Sequence, residues 1–127
     1  MPAKNPYAKQ AEDRIFSASN NELTLMLYDG ALKFANQALA ALEKKDYITV
    51  NELLQRCQDI VREFQLTLKD DYEISNNFRT LYDYILRLLI DANLSKDRAT
   101  LEEARDLLRD FRDMWKEAMV SAKQQGA

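Results

Sequence analysis

The sequence predicts an all-α fold, an antiparallel up-down-up-down four-helix bundle with a mobile N-terminal arm. Three observations predict it. The 127 residues include only two Gly and two Pro, with 46% hydrophobic and 31% charged side chains, a composition that favours long helices over turn-rich sheets. Apolar residues recur every three or four positions in four successive stretches. The polar breaks between them, at 44–46, 70–71 and 95–97, are short enough to make neighbouring helices antiparallel. The expected organisation is an arm over 1–18, a bundle domain over 19–123 and a disordered tail over 124–127.

Residues 1–18 show no sustained period, and Asn5-Pro6 disfavours a helix there. Tyr7 is an aromatic in an otherwise polar stretch, of the kind that docks on another surface. Ser19-Asn20-Asn21-Glu22 then fits a capping box and opens a first helix over 20–43. Winding that helix at about 100° per residue gathers Leu23, Leu25, Leu27, Tyr28, Ala31, Leu32, Phe34, Ala35, Ala38, Leu39 and Leu42 into a band roughly 200° wide. A helix facing one core shows a stripe of about 100° or somewhat more. The surplus implies cover by a partner polypeptide, with Leu25 and Tyr28 at the far edge of the band and Leu32 and Phe34 within it. Lys44-Lys45 places cations at the negative end of this helix, and Asp46 is the expected cap of the next.

The second helix is expected over 47–69, with Tyr47, Val50, Leu54, Cys57, Val61, Phe64 and Leu68 on an arc about 140° wide, an ordinary core face. The third runs from Ile74 or Ser75 to position 94. Its core seam is Ile74, Phe78, Leu81, Ile85, Leu88 and Ala92, widened by Tyr82, Leu86 and Leu89. Tyr84 and Ile90 fall outside, and Tyr84 is a candidate partner contact. Asp97 or Thr100 caps the fourth helix, and Thr100-Leu101-Glu102-Glu103 fits a second capping box. That helix, over 98–123, buries Leu101, Ala104, Leu108, Phe111, Trp115 and Ala118. Glu52 with Arg56, Asp83 with Arg87 and Arg109 with Asp113 are expected i,i+4 pairs. No sequence motif recurs among the four segments, which argues against a solenoid.

The chemistry is spare. A chain without histidine lacks the usual general base, the Ser-His and Cys-His pairs and the Glu-x-x-His ligands of di-iron bundles. One cysteine builds neither a zinc thiolate site nor an internal disulfide, so the expected compartment is a reducing cytoplasm and Cys57 a buried core thiol. Acidic neighbours such as Asp70-Asp71 and Glu102-Glu103 point about 100° apart on a helix, and the stretch after Asp70 lacks the glycine of a calcium loop. No cofactor, metal or catalytic residue is expected. A net charge of −3 with mixed signs leaves no footprint for nucleic acid. The most apolar run, 81–90, is interrupted by Asp83 and Arg87, so no membrane span is expected, and the N-terminus lacks the apolar core of a secretory signal. Gly30, in mid-helix, is either a tolerated small residue or a place where another element comes close.

Several segments resemble the flagellar secretion chaperones, the FliS family. These are Asn5-Pro6-Tyr7, then Ser17-Ala18-Ser19-Asn20-Asn21-Glu22-Leu23, and most specifically Leu25-Met26-Leu27-Tyr28-Asp29-Gly30-Ala31-Leu32-Lys33-Phe34. Further along come Lys45-Asp46-Tyr47, Leu81-Tyr82-Asp83-Tyr84-Ile85, Ala92-Asn93-Leu94-Ser95-Lys96-Asp97, and Leu108 through Arg112 to Trp115-Lys116-Glu117-Ala118. The chain departs from the family at Gln10, where a second arm aromatic is common, and at Asn20, where a proline often follows the capping serine. The resemblance implies a cytoplasmic, non-enzymatic chaperone whose partner is the C-terminal segment of flagellin. That segment wraps the bundle one-to-one and is kept from premature polymerisation, and the complex delivers it to the flagellar export gate. The free protein is expected to be a monomer whose arm lies over the apolar surface. Two other readings have distinct signatures. A homo-oligomeric helical adaptor buries the first helix in a stable dimer. An all-helical mutase of the chorismate type needs buried basic residues, whereas the Lys and Arg here fall on polar faces.

Overall fold

Four amphipathic stretches give four helices in the computed structural model, which describes residues 20–67 and 73–125. They are α1 (Asn20–Glu43), α2 (Tyr47–Thr67), α3 (Glu73–Ser95) and α4 (Arg98–Gln125). The bounds of α1 are those the sequence predicts. Helix α3 starts at Glu73, a residue or two early, and α4 runs to Gln125, two residues past the expected end. The arm, the Ser19 half of the first capping box and residues 68–72 lie outside the described residues.

The two described turns are built alike. After α1, Lys45 takes a left-handed conformation (φ 59°), its N–H donates to the Leu42 carbonyl, and the Asp46 N–H donates to the Ala41 carbonyl. This is a Schellman stop, with lysine where glycine is usual. Asp46 also caps α2, accepting from the Thr49 N–H (3.3 Å) and hydroxyl (2.6 Å). After α3, Lys96 is again left-handed (φ 55°), and its ammonium donates to the Asn93 carbonyl at 2.6 Å. Asp97 accepts from the Thr100 N–H (3.1 Å) and hydroxyl (2.6 Å). Asp97 is therefore the cap, and Thr100 lies inside α4 as its donor rather than opening a capping box.

The helices form a ring in which α1 and α3 each pack against both α2 and α4. Cross-helix partners run in opposite senses: Gln65 meets Asp83 and Asn51 meets Asn93 across α2 and α3, while Asp29 meets Arg112 and Asn36 meets Arg105 across α1 and α4. The bundle is antiparallel throughout. Near the turns the core is aliphatic, with Ala35, Ala38, Ala41, Val50, Leu54, Leu89, Ala92, Leu101 and Ala104 buried. The small side chains on α1 bring α2 close enough for the Cys57 thiol to donate to the Ala31 carbonyl at 3.3 Å. Towards the other end the core turns aromatic, with Tyr28, Phe64, Phe78, Tyr82, Phe111 and Trp115 linked by ring contacts of 4.4–6.5 Å.

The wide band on α1 finds most of its cover inside the bundle. Helix α1 meets α2 on one side, α4 on the other, and α3 across the diagonal through Tyr28 and Tyr82. A helix with three neighbours needs a broader apolar arc than one with a single neighbour. Three expected core residues are displaced: Tyr47 (48% exposed) and Leu81 (36%) lie at the bundle margin, and Ala118 is exposed. The expected i,i+4 pairs are also redirected. Arg56 lies over the Phe34 ring at 5.7 Å, Asp83 accepts from Gln65, and Arg109 pairs with Asp106 while Asp113 pairs with Arg112.

Candidate partner-binding seams

Four seams separate neighbouring helices, and they alternate in chemistry. The seam between α2 and α3 is bridged by polar side chains: Asn93 donates to Asn51 (2.8 Å) and Gln65 to Asp83 (2.6 Å), with Gln58 buried between. Across α4 and α1, Arg105 donates to Asn36 (3.0 Å) and Arg112 stands 3.7 Å from Asp29. These seams join one helical hairpin to the other. The seams inside each hairpin are mainly apolar, with a Tyr84–Glu103 hydrogen bond crossing α3 and α4. Between α1 and α2 lie half-buried Leu27, Phe34, Leu53 and Ile60, and a Cβ added at Gly30 would sit 3.5 Å from Ile60 Cδ1. Gly30 thus marks the close approach of α2, at ordinary contact distance.

Between α3 and α4 lies the most accessible apolar strip. Leu81 (36% exposed), Tyr84 (42%) and Met114 (46%) flank the half-buried Phe78 and Leu107. Register is fixed by the Tyr84 hydroxyl, which donates to Glu103 Oε1 at 2.6 Å, and by the Phe78–Phe111 ring contact at 6.3 Å. The Glu103 hydrogen bond, first, and partial desolvation, second, push the Tyr84 phenol above its ordinary range. Glu103, Asp110 and Glu117, seven residues apart and all exposed, form an acidic stripe beside Leu107 and Met114 on α4.

The residues expected to bind a partner do not converge on one surface. Tyr28 is 1% exposed, its hydroxyl 2.6 Å from that of Tyr82, so it belongs to the core rather than to the edge of a groove. Winding fixes the angle at which Tyr28 leaves α1 but not what lies opposite, and α3 lies opposite. Leu32 is likewise buried. Leu25 is half-buried on the stripe of α1 that carries Asp29, Leu32 and Asn36 towards α4, whereas Phe34 faces α2. Tyr84 stands on the α3–α4 seam, across the ring from Phe34. Tyr7 lies outside the described residues. Sequence reasoning passed over Leu107 and Met114; their signal was a seven-residue spacing just beside the core stripe of α4.

Among the described residues no cluster of three potential metal ligands occurs, and no helix is long and apolar enough to cross a membrane. Burial raises the Cys57 thiol to about 12, which keeps it protonated and unreactive.

A family profile described as "Flagellar protein FliS" matches residues 3–122 of this chain. Curated relatives agree. The chain is 39% identical over 123 residues to the flagellar secretion chaperone FliS of Bacillus subtilis, covering 97% of this chain and 92% of the relative. It is 33% identical over 114 residues to the flagellar secretion chaperone FliS of Salmonella typhimurium, covering 87% and 84%. To that of Escherichia coli it is 30% identical over 113 residues, covering 87% and 83%.

Proposed function

This chain belongs to the FliS family, and from that premise we propose that it is a cytoplasmic chaperone for the C-terminal segment of flagellin. Capture keeps flagellin from premature polymerisation, and the one-to-one complex delivers it to the flagellar export apparatus. The observation that carries this reading is the alternation of the seams. The polar seams lock hairpin to hairpin, which leaves the two apolar seams with side chains half in water. A segment that orders on binding can cover such surface and still be released, because ordering offsets much of the contact free energy.

In this reading the α3–α4 seam takes an amphipathic helical stretch of the cargo, with Leu81, Tyr84 and Met114 as contacts, and the α1–α2 seam takes another through Phe34. Leu25 adds a contact where α1 emerges from the core. The arm over 1–18, with Tyr7, competes with cargo for the same surface. Titrating the free protein with the C-terminal flagellin peptide from the same organism tests the proposal by calorimetry and circular dichroism. The expected result is one-to-one binding with a strongly negative heat-capacity change and a gain of helicity. Equal affinity for flagellin lacking that segment refutes it.

A further inference from the structure

The four helical stretches share no motif, yet the two hairpins align at an offset of 51 positions through their turns and buried positions. Lys45-Asp46-Tyr47-Ile48-Thr49 recurs as Lys96-Asp97-Arg98-Ala99-Thr100, with the same left-handed lysine and the same aspartate-to-threonine cap. The offset also matches the core: Ala38 with Leu89, Ala41 with Ala92, Val50 with Leu101 and Cys57 with Leu108 are buried at both members. A repeated hairpin raises a pairing problem. Its apolar pattern does not distinguish the other hairpin of the chain from the like hairpin of a second copy, and apolar packing is tolerant of such exchange.

One buried contact does distinguish them. Tyr28 and Tyr82, 1% and 4% exposed, meet hydroxyl to hydroxyl at 2.6 Å across the diagonal between α1 and α3. Phe64 lies against both rings, and Phe78 and Phe111 against Tyr82. The 51-residue offset makes Ala31 the counterpart of Tyr82, and Arg79 the counterpart of Tyr28. If two copies of the α1–α2 hairpin paired, each Tyr28 would face an alanine, with a void and a buried hydroxyl lacking this partner. If two copies of α3–α4 paired, each Tyr82 would face an arginine drawn into the aromatic layer. The first alternative strands a buried hydroxyl and the second buries a guanidinium charge, costs the observed pairing avoids. The seam contacts Asn51–Asn93, Gln65–Asp83 and Asn36–Arg105 are nearer to water, so breaking them discriminates less.

We propose that the Tyr28–Tyr82 hydrogen bond is the key that pairs the first hairpin with the second and excludes like-with-like pairing. The two residues act by positioning, and the function assigned is uniqueness of the fold rather than bulk stability. The test uses the full chain as Tyr28→Phe, Tyr82→Phe and the double variant, each unfolded in urea and refolded at high protein concentration. Each single variant strands one buried hydroxyl, so its folding equilibrium constant should fall roughly tenfold. The double variant strands none and should be no less stable than either single one. It should nevertheless lose specificity, giving more than one set of backbone amide signals and a refolded dimer fraction by sedimentation, where the parent gives one set and no dimer. Additive single effects overturn the proposal. So does a double variant that refolds to one species with one set of signals. If Tyr28→Phe yields too little folded protein, Tyr82→Phe against the double variant decides by the same criteria.

Discussion

Replacing Leu81 and Met114 together with Ser should separate cargo capture from folding. Full burial of a Leu or Met side chain stabilises by roughly 1.5–3 kcal/mol. Leu81 is already 36% exposed and Met114 46%, so the free protein gives up only about 1–2 kcal/mol per substitution. In the proposed binding mode cargo covers the part still in water, about 0.5–1.5 kcal/mol per side chain on the same scale. Losing both should weaken binding by about 1–3 kcal/mol, roughly fivefold to a hundredfold in Kd. Phe111→Ala supplies the contrast: its ring is 7% exposed and packs 6.3 Å from Phe78 and Tyr82, so truncation should cost about 3–5 kcal/mol of stability. Urea titration gives the stabilities, and calorimetry with the C-terminal flagellin peptide, at a temperature where each variant is folded, gives the affinities. If L81S/M114S binds within twofold of the parent, the α3–α4 seam is not the capture surface.

Gly30→Ala should stabilise α1 by up to about 1 kcal/mol, since the added methyl meets Ile60 at ordinary contact distance; thermal melting checks this, and a fall in midpoint would show that the α1–α2 contact has no slack. Hydrogen bonds from Thr49 and Thr100 hold the Asp46 and Asp97 carboxyls below their ordinary range. A lowered carboxylate stabilises the fold fully above its unfolded value and loses that contribution as pH falls through the folded one. Urea midpoints should therefore drop below about pH 4, and Asp46→Asn/Asp97→Asn should flatten the drop; an unchanged pH profile would refute the role of the caps. Deleting residues 1–15 should leave the bundle folded, raise self-association and leave cargo affinity equal or higher. A truncated protein that stays monomeric but loses most of its affinity would show that the arm contacts cargo directly.

Much of the fold was legible because local rules and packing agree. Asp46 stands between two apolar runs and caps the second, and the bounds of α1 follow from the polar residues at its ends. The candidate site was less legible, for a geometric reason. Periodicity gives the direction in which a side chain leaves its own helix, and exposure depends on what stands opposite. Tyr28 reads as an edge residue on α1 until Tyr82 of α3 is placed against it. Leu81 reads as core on α3, yet it stands at the margin, where Leu107 and Met114 carry the apolar surface past the α4 core stripe. Tyr47 occupies a core angle but lies in the first turn of α2, where the bundle ends. The paired turns were present as a Lys-Asp-x-x-Thr repeat, hidden because helix faces diverge while turn chemistry is held fixed.

The alternation of seams also bounds the length of cargo needed. The strip between α3 and α4 offers five side chains, Phe78, Leu81, Tyr84, Leu107 and Met114, each partly in water. At about 0.5–1.5 kcal/mol per side chain covered, that seam yields roughly 2.5–7.5 kcal/mol. Ordering a free segment offsets about 2–5 kcal/mol or more of it. One seam alone therefore supports only weak binding. The second apolar seam, with Leu27, Phe34, Leu53 and Ile60, lies across the ring, beyond the polar seams that close the bundle. Tight capture then requires one segment long enough to reach around the bundle, because linking two weak contacts makes the second intramolecular. A peptide limited to a single amphipathic turn-and-helix should bind at least a hundredfold more weakly than the full C-terminal segment when both are titrated under the same conditions. A short peptide that matches the long one in affinity would mean that one seam is sufficient and that the alternation has no part in capture.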